Sequence, residues 1–213
     1  MTTMHKVLNI LAKTICVLLH PMLMPCYGMA LFFLSNQPTI ALLPKVYCMV
    51  SMVGTLVLTL VIPFVLMLFL WRKGYIDSLH IEQAQQRTTP YIYTLICYGF
   101  WTYFLHSTIH MPSFIVWIAV GAIVALLAVA LINHWWKISA HLTGIGGLFG
   151  GICSFSLCYS TLPIWLIISL LILSLLLMYA RLYLKAHTPM QVVCGYLLGI
   201  ACTFLSGLII TYA

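Results

Sequence analysis

From Val46 to Leu70 the chain runs 25 residues without a charged side chain. As a helix that stretch is about 37 Å long, more than the roughly 30 Å hydrocarbon core of a bilayer. A backbone that crosses lipid has to satisfy its own hydrogen bonds, so it forms helices or a closed barrel. The sustained polar alternation of barrel strands is absent, which leaves helices. Seven apolar segments can be marked, at about 14–34, 46–70, 91–109, 113–133, 141–158, 163–180 and 190–212. The expected fold is all-α, a polytopic transmembrane helical bundle of six to seven spans, with residues 1–213 as one domain and no internal repeat. Composition closes off the soluble alternative. Charged residues make up 5% of the chain and hydrophobic ones 64%, whereas soluble domains carry roughly 25% charged residues.

The formal net charge of +7 comes from nine Lys and Arg against two acidic residues, Asp77 and Glu82. These cations lie in connectors between apolar spans, where they set orientation or meet lipid headgroups and other anions rather than nucleic acid. With seven crossings, the N-terminus and the connectors 71–90, 134–139 and 181–188 fall on one face. That face carries Lys6, Lys13, Arg72, Lys73, Arg87, Lys137, Arg181 and Lys185, and the opposite face only Lys45. The positive-inside rule places the rich face in the cytoplasm, although charges recruited to hold an anion say nothing about orientation. The eight cysteines are scattered singly with no CxxC pair, and read as small buried hydrophobes. Met1 to Leu34 has no convincing cleavage site after a short apolar core and is expected to be a retained first span.

Three stretches on the basic face carry the candidate chemistry. They are His80-Ile-Glu-Gln-Ala-Gln-Gln-Arg87-Thr-Thr-Pro90, Lys137-Ile-Ser139-Ala140-His141-Leu-Thr-Gly144, and Ala180-Arg181-Leu-Tyr-Leu-Lys185-Ala-His187-Thr188-Pro189-Met-Gln191. Each borders an apolar span, where ionisable residues are functional candidates. Plainer readings exist for each residue alone. Arg181 and Lys185 can snorkel to the interface. His141 can be an interfacial histidine beside Trp135 and Trp136. Thr188-Pro-Met-Gln191 fits a capping box with Pro at the first helical position, and Ser139 can be an N-cap.

The joint arrangement favours phosphate chemistry. Two helices start on one face, near Ser139 and Thr188, and helix N-termini attract phosphate through free N–H groups and the dipole. Arg87 and Arg181 add forked donors for phosphate oxygens. One histidine can attack phosphorus while another protonates the leaving alkoxide. Gln191, four residues after His187, shares its helix face and can hold the nucleophile's other ring nitrogen.

These motifs resemble those of the type 2 phosphatidic-acid phosphatase superfamily, multispan lipid phosphatases and related acid phosphatases. The family pattern is Lys-x6-Arg-Pro, Pro-Ser-Gly-His and Ser-Arg-x5-His-x3-Asp. The chain reads His80-x6-Arg87-Thr88, Ile138-Ser139-Ala140-His141 and Ala180-Arg181-x5-His187-x3-Gln191, within residues 80–191. The resemblance implies His187 as nucleophile, His141 as general acid, and Arg87, Arg181 and the Ser139–Ala140 backbone as phosphate holders. His80 stands where the family has a phosphate-binding lysine, and Lys137 is a substitute for it from the second motif. Gln191 stands where the family has the orienting aspartate, and an amide stabilises an imidazolium less than a carboxylate does. The implied substrate is an amphiphilic phosphate, either a phosphatidate-like lipid or a polyprenyl phosphate or diphosphate, with no metal or other cofactor. Bacterial relatives of this type commonly work on the outer side of the inner membrane, against the charge-based orientation.

Two other classes compete. A transporter is disfavoured because both acidic residues share one connector and no repeat is visible. A silent relative that binds phospholipid headgroups fits the departures at His80 and Gln191. His106 and His110 have a metal-compatible spacing but lie on the opposite face with no nearby acidic residue or cysteine. The glycines Gly144, Gly146, Gly147, Gly150 and Gly151, with Gly195 and Gly199, predict close approach of the fifth and seventh segments.

Overall fold

The computed structural model describes residues 3–35, 37–77, 88–159 and 162–209. His80 and Arg87, two of the predicted phosphate-binding residues, lie outside the described residues. Within them the chain is helical and contains no strand. The helices are α1 (Thr3–Leu18), α2 (Met24–Phe33), the short α3 (Pro38–Ala41), α4 (Lys45–Leu56), α5 (Ile62–Arg72), α6 (Thr88–Ser107), α7 (Ser113–Ile132), α8 (Ala140–Tyr159), α9 (Ile164–Tyr183) and α10 (Pro189–Leu208). Six stretches are long and apolar enough to cross a membrane: Met4–Phe33, Lys45–Arg72 and the four helices α7 to α10. The protein is therefore a multi-pass membrane protein. The remaining predicted segment is α6, as long as α7 at 20 residues each. Its tyrosines, threonines and His106 dilute its apolar character, and it packs along α7 and the α4–α5 unit.

The predicted segment at 14–34 is not one helix. Pro21 and Pro25 have no N–H to donate and exclude the carbonyls behind them, so α1 stops at Leu18 and a 3-10 turn, Pro21–Leu23, leads into α2. His20 caps that turn, its Nδ1 accepting from Met22 N at 3.4 Å. Proline acts differently in the second span. Val57–Val61 forms a wide π-helical turn just before Pro63 in α5. That turn carries the chain past the ring without ending the helix. Beside it Trp101 Nε1 donates to Thr55 Oγ1 at 2.9 Å, and Thr55 Oγ1 donates to the Ser51 carbonyl at 2.7 Å. An uncharged hydrogen bond thus ties α6 to α4 inside the apolar layer.

Among the described helices the most extensive packing joins α8 to α10, as the glycine spacing predicts. A Cβ at Gly195 would lie 2.8 Å from the Ser139 carbonyl, and one at Gly150 would lie 2.7 Å from the Ile200 carbonyl. Only hydrogen fits between these backbones. Thr203 Oγ1 crosses the seam to the Gly147 carbonyl at 2.8 Å. Both helices begin at the same end, where α9 finishes, so the second and third motifs meet there.

Candidate active site

The third motif is shaped by the end of α9. Ala186 N donates to the Arg181 carbonyl and Lys185 N to the Leu182 carbonyl, at 3.1 and 2.9 Å. This Schellman arrangement places Lys185 in the left-handed region, at φ 52°, where glycine is the usual occupant. The reversal lifts the chain off α9 and brings His187 in, 9% exposed, before α10 starts.

His187 Nδ1 lies 3.2 Å from the Lys137 carbonyl and 3.2 Å from Gln191 Oε1. The amide orientation is fixed independently, because Thr188 N–H donates to Gln191 Oε1 at 3.1 Å. Both neighbours of Nδ1 are thus acceptors, so Nδ1 carries a proton and the neutral ring has its lone pair on Nε2. That is the tautomer a nucleophile needs. Gln191 also completes the capping box: its N–H donates to Thr188 Oγ1 at 3.5 Å. The two readings of Gln191, cap and orienting partner, hold together through one oxygen. His187, Gln191, Lys137 and Lys185 line a depression of about 580 Å³.

The second motif sits against α10. Ser139 N–H donates to the Gln191 carbonyl at 3.3 Å, and the Ser139 side chain is fully buried. Its Oγ has no hydrogen-bond partner among the described residues, so it does not cap α8. The first bond of α8 runs from Thr143 N to the Ser139 carbonyl, leaving the N–H groups of Ala140, His141 and Leu142 at the helix end. α10 differs from the sequence expectation. Its cap uses the N–H groups of Thr188 and Gln191, and Pro189 has none. Of these two helices, α8 presents the larger set of open donors.

His141 and Arg181 meet the first span. His141 donates to the Cys16 carbonyl and lies within electrostatic reach of Arg181, His20 and His187. The His20 ring stands edge-on to it, at 5.1 Å between centroids and 83° between planes. Arg181 Nη1 donates to Cys16 Sγ at 3.8 Å, while its buried Nε has no partner among the described residues. His20 and Cys16 are site neighbours that sequence reasoning missed. The Pro21–Pro25 pair marked a break, but no residue pattern told which helix the break would face. At the far end His106 and His110 are exposed. Among the described residues no three His, Cys, Asp or Glu side chains are grouped so as to hold a metal ion.

The assembled chemistry is a buried imidazole oriented through Nδ1, a second imidazole, a guanidinium, a buried hydroxyl and one helix N-terminus. Such a set accepts an anion with several oxygens. No family model matches the chain, and neither a curated protein nor a solved structure matches it.

Proposed function

We propose that the protein is a metal-independent phosphatase of the membrane, hydrolysing a lipid or polyprenyl phosphomonoester or diphosphate through a phosphohistidine. The observation that carries this reading is the buried His187 imidazole, its Nδ1 proton held between the Lys137 carbonyl and Gln191 Oε1, which leaves Nε2 as the nitrogen for attack in the neutral ring. The motif resemblance to the type 2 phosphatidic-acid phosphatase superfamily supports it. In the reaction, His187 Nε2 forms the N–P bond as the P–O bond to the leaving group breaks. His141 as imidazolium protonates that oxygen. Water then attacks phosphorus, His141 takes its proton, the N–P bond breaks and phosphate leaves. Arg181, Ser139 and the first N–H groups of α8 hold the phosphoryl oxygens, joined by Lys137 from the rim. His80 and Arg87 belong to the same proposal by the spacing of the first motif.

Purified protein in detergent with chelator is expected to release phosphate from such lipids and to form an acid-labile phosphoenzyme. His187→Ala should abolish both. Release that survives this substitution would sink the mechanism. Binding of phospholipid without turnover would instead favour the silent relative, a reading that Gln191 in place of a carboxylate supports. The proposed setting is a bacterial-type inner membrane; the charge pattern favours a cytoplasmic site and the family resemblance an outer one. Thiol labelling of Trp135→Cys against Leu42→Cys, exposed at the two ends of the bundle, tests that side.

A further inference from the structure

α1 is amphipathic in three directions. Ala12 and Cys16 are buried against the bundle. Met4, Val7, Ile10, Leu11, Val17 and Leu18 form an exposed apolar stripe along one side of the helix. Lys6 and Lys13, two turns apart, are exposed along the flank of that stripe. The buried side joins a cluster to which α9 contributes residues of its last turns, Leu177 to Leu184. Cys16 meets Arg181 and His141 at the same level. After the break α2 runs down α8, with Gly28 beside Leu148 and Phe32 against Phe155. α2 therefore makes the descent, while α1 stays at the end of the bundle where the candidate site lies.

Three placements of α1 can be weighed. Upright in the hydrocarbon, it would bury Lys13 about 10 Å deeper than Lys6, at a high cost for a charged side chain. Upright in water, it would leave six large apolar side chains hydrated. Lying in the interface, it gives the stripe to the acyl boundary and both lysines to the headgroups. We infer that α1 is an interfacial helix that docks on the headgroup layer of the protein's own membrane and prefers anionic lipid, rather than the first half of a transmembrane span. This does not rest on the phosphatase reading.

The test uses the full chain with its native cysteines, reconstituted in vesicles of equal parts phosphatidylcholine and phosphatidylglycerol. A fluorescent amino acid replaces Leu11 or, separately, Lys13. The probe at 11 should be quenched more by lipid labelled near the headgroup than by lipid labelled at the chain end. Aqueous iodide should reach the probe at 13. Strongest quenching of the probe at 11 by chain-end label, with position 13 closed to iodide, would overturn the inference in favour of a span. Iodide access at both positions without lipid quenching would overturn it in favour of a helix in water. Lys6→Gln with Lys13→Gln, at sites that face out of the fold, should lower the enrichment of phosphatidylglycerol over phosphatidylcholine around the protein severalfold. Unchanged enrichment would remove the anionic preference.

Discussion

The α8–α10 pair and the first span approach the candidate site from different sides and are built in opposite ways. α8 and α10 touch backbone to backbone, with glycines at the seam and Thr203 bonded across it. The first span is cut by prolines, and its break delivers His20 and Cys16 to His141 and Arg181. The pair fixes the His187 side with almost no tolerance for added volume. The broken span meets the His141 side through one ring contact and hydrogen bonds to Cys16. Position is set by the first, and surroundings by the second.

Substitutions should separate the two. Gly199→Val is the most damaging, because a Cβ there would come within 2.6 Å of Gly147 N. Neither backbone can yield without opening the seam, so a loss of about 3 kcal/mol or more is expected, seen as collapse of the thermal transition and of monodispersity. Gln191→Ala should cost about 1 kcal/mol through the lost cap and reduce phosphate release. Gln191→Glu keeps the cap acceptor, adds a carboxylate beside His187, and should raise turnover about tenfold or more; a fall would show that the amide is the adapted group. His20→Ala removes a half-buried ring at the break, so thermal stability should move by less than about 1 kcal/mol while phosphate release drops severalfold. An equal loss of stability and activity would mean that the first span is as structural as the glycine seam. Lys185→Gly is the mildest. It relieves a left-handed residue and should stabilise by a few tenths to about 1 kcal/mol.

Much of this contrast could be read in the sequence. The limits of α7 to α10 fall within four residues of the predicted segments, because long uncharged runs leave little freedom in where a span begins. The glycine seam followed from spacing alone. Gln191 was legible in both of its roles, since a position four residues after His187 and three after Thr188 serves each. The Lys137 carbonyl beside His187 was not legible, because every residue has a carbonyl and only tertiary packing selects one. His20 was hidden for a similar reason: an isolated histidine before a proline signals a turn, and its partner lies 121 positions along the chain. The donors of α10 were overcounted because the capping box, correctly foreseen, also consumes them.

The wide turn at Val57–Val61 bears on how this chain tolerates changes of length. A π-helical turn takes up one residue more than an α-helix needs while keeping the flanking turns aligned. Removing one residue there, together with Pro63→Ala, should close the turn into ordinary helix and leave Arg72 and Lys73 on their present side. The same deletion within α8 would swing everything beyond it by about 100° and turn the glycines out of their seam. Deletion scanning should therefore find a single permissive window in the spans, at the one place where the second helix already holds a spare residue.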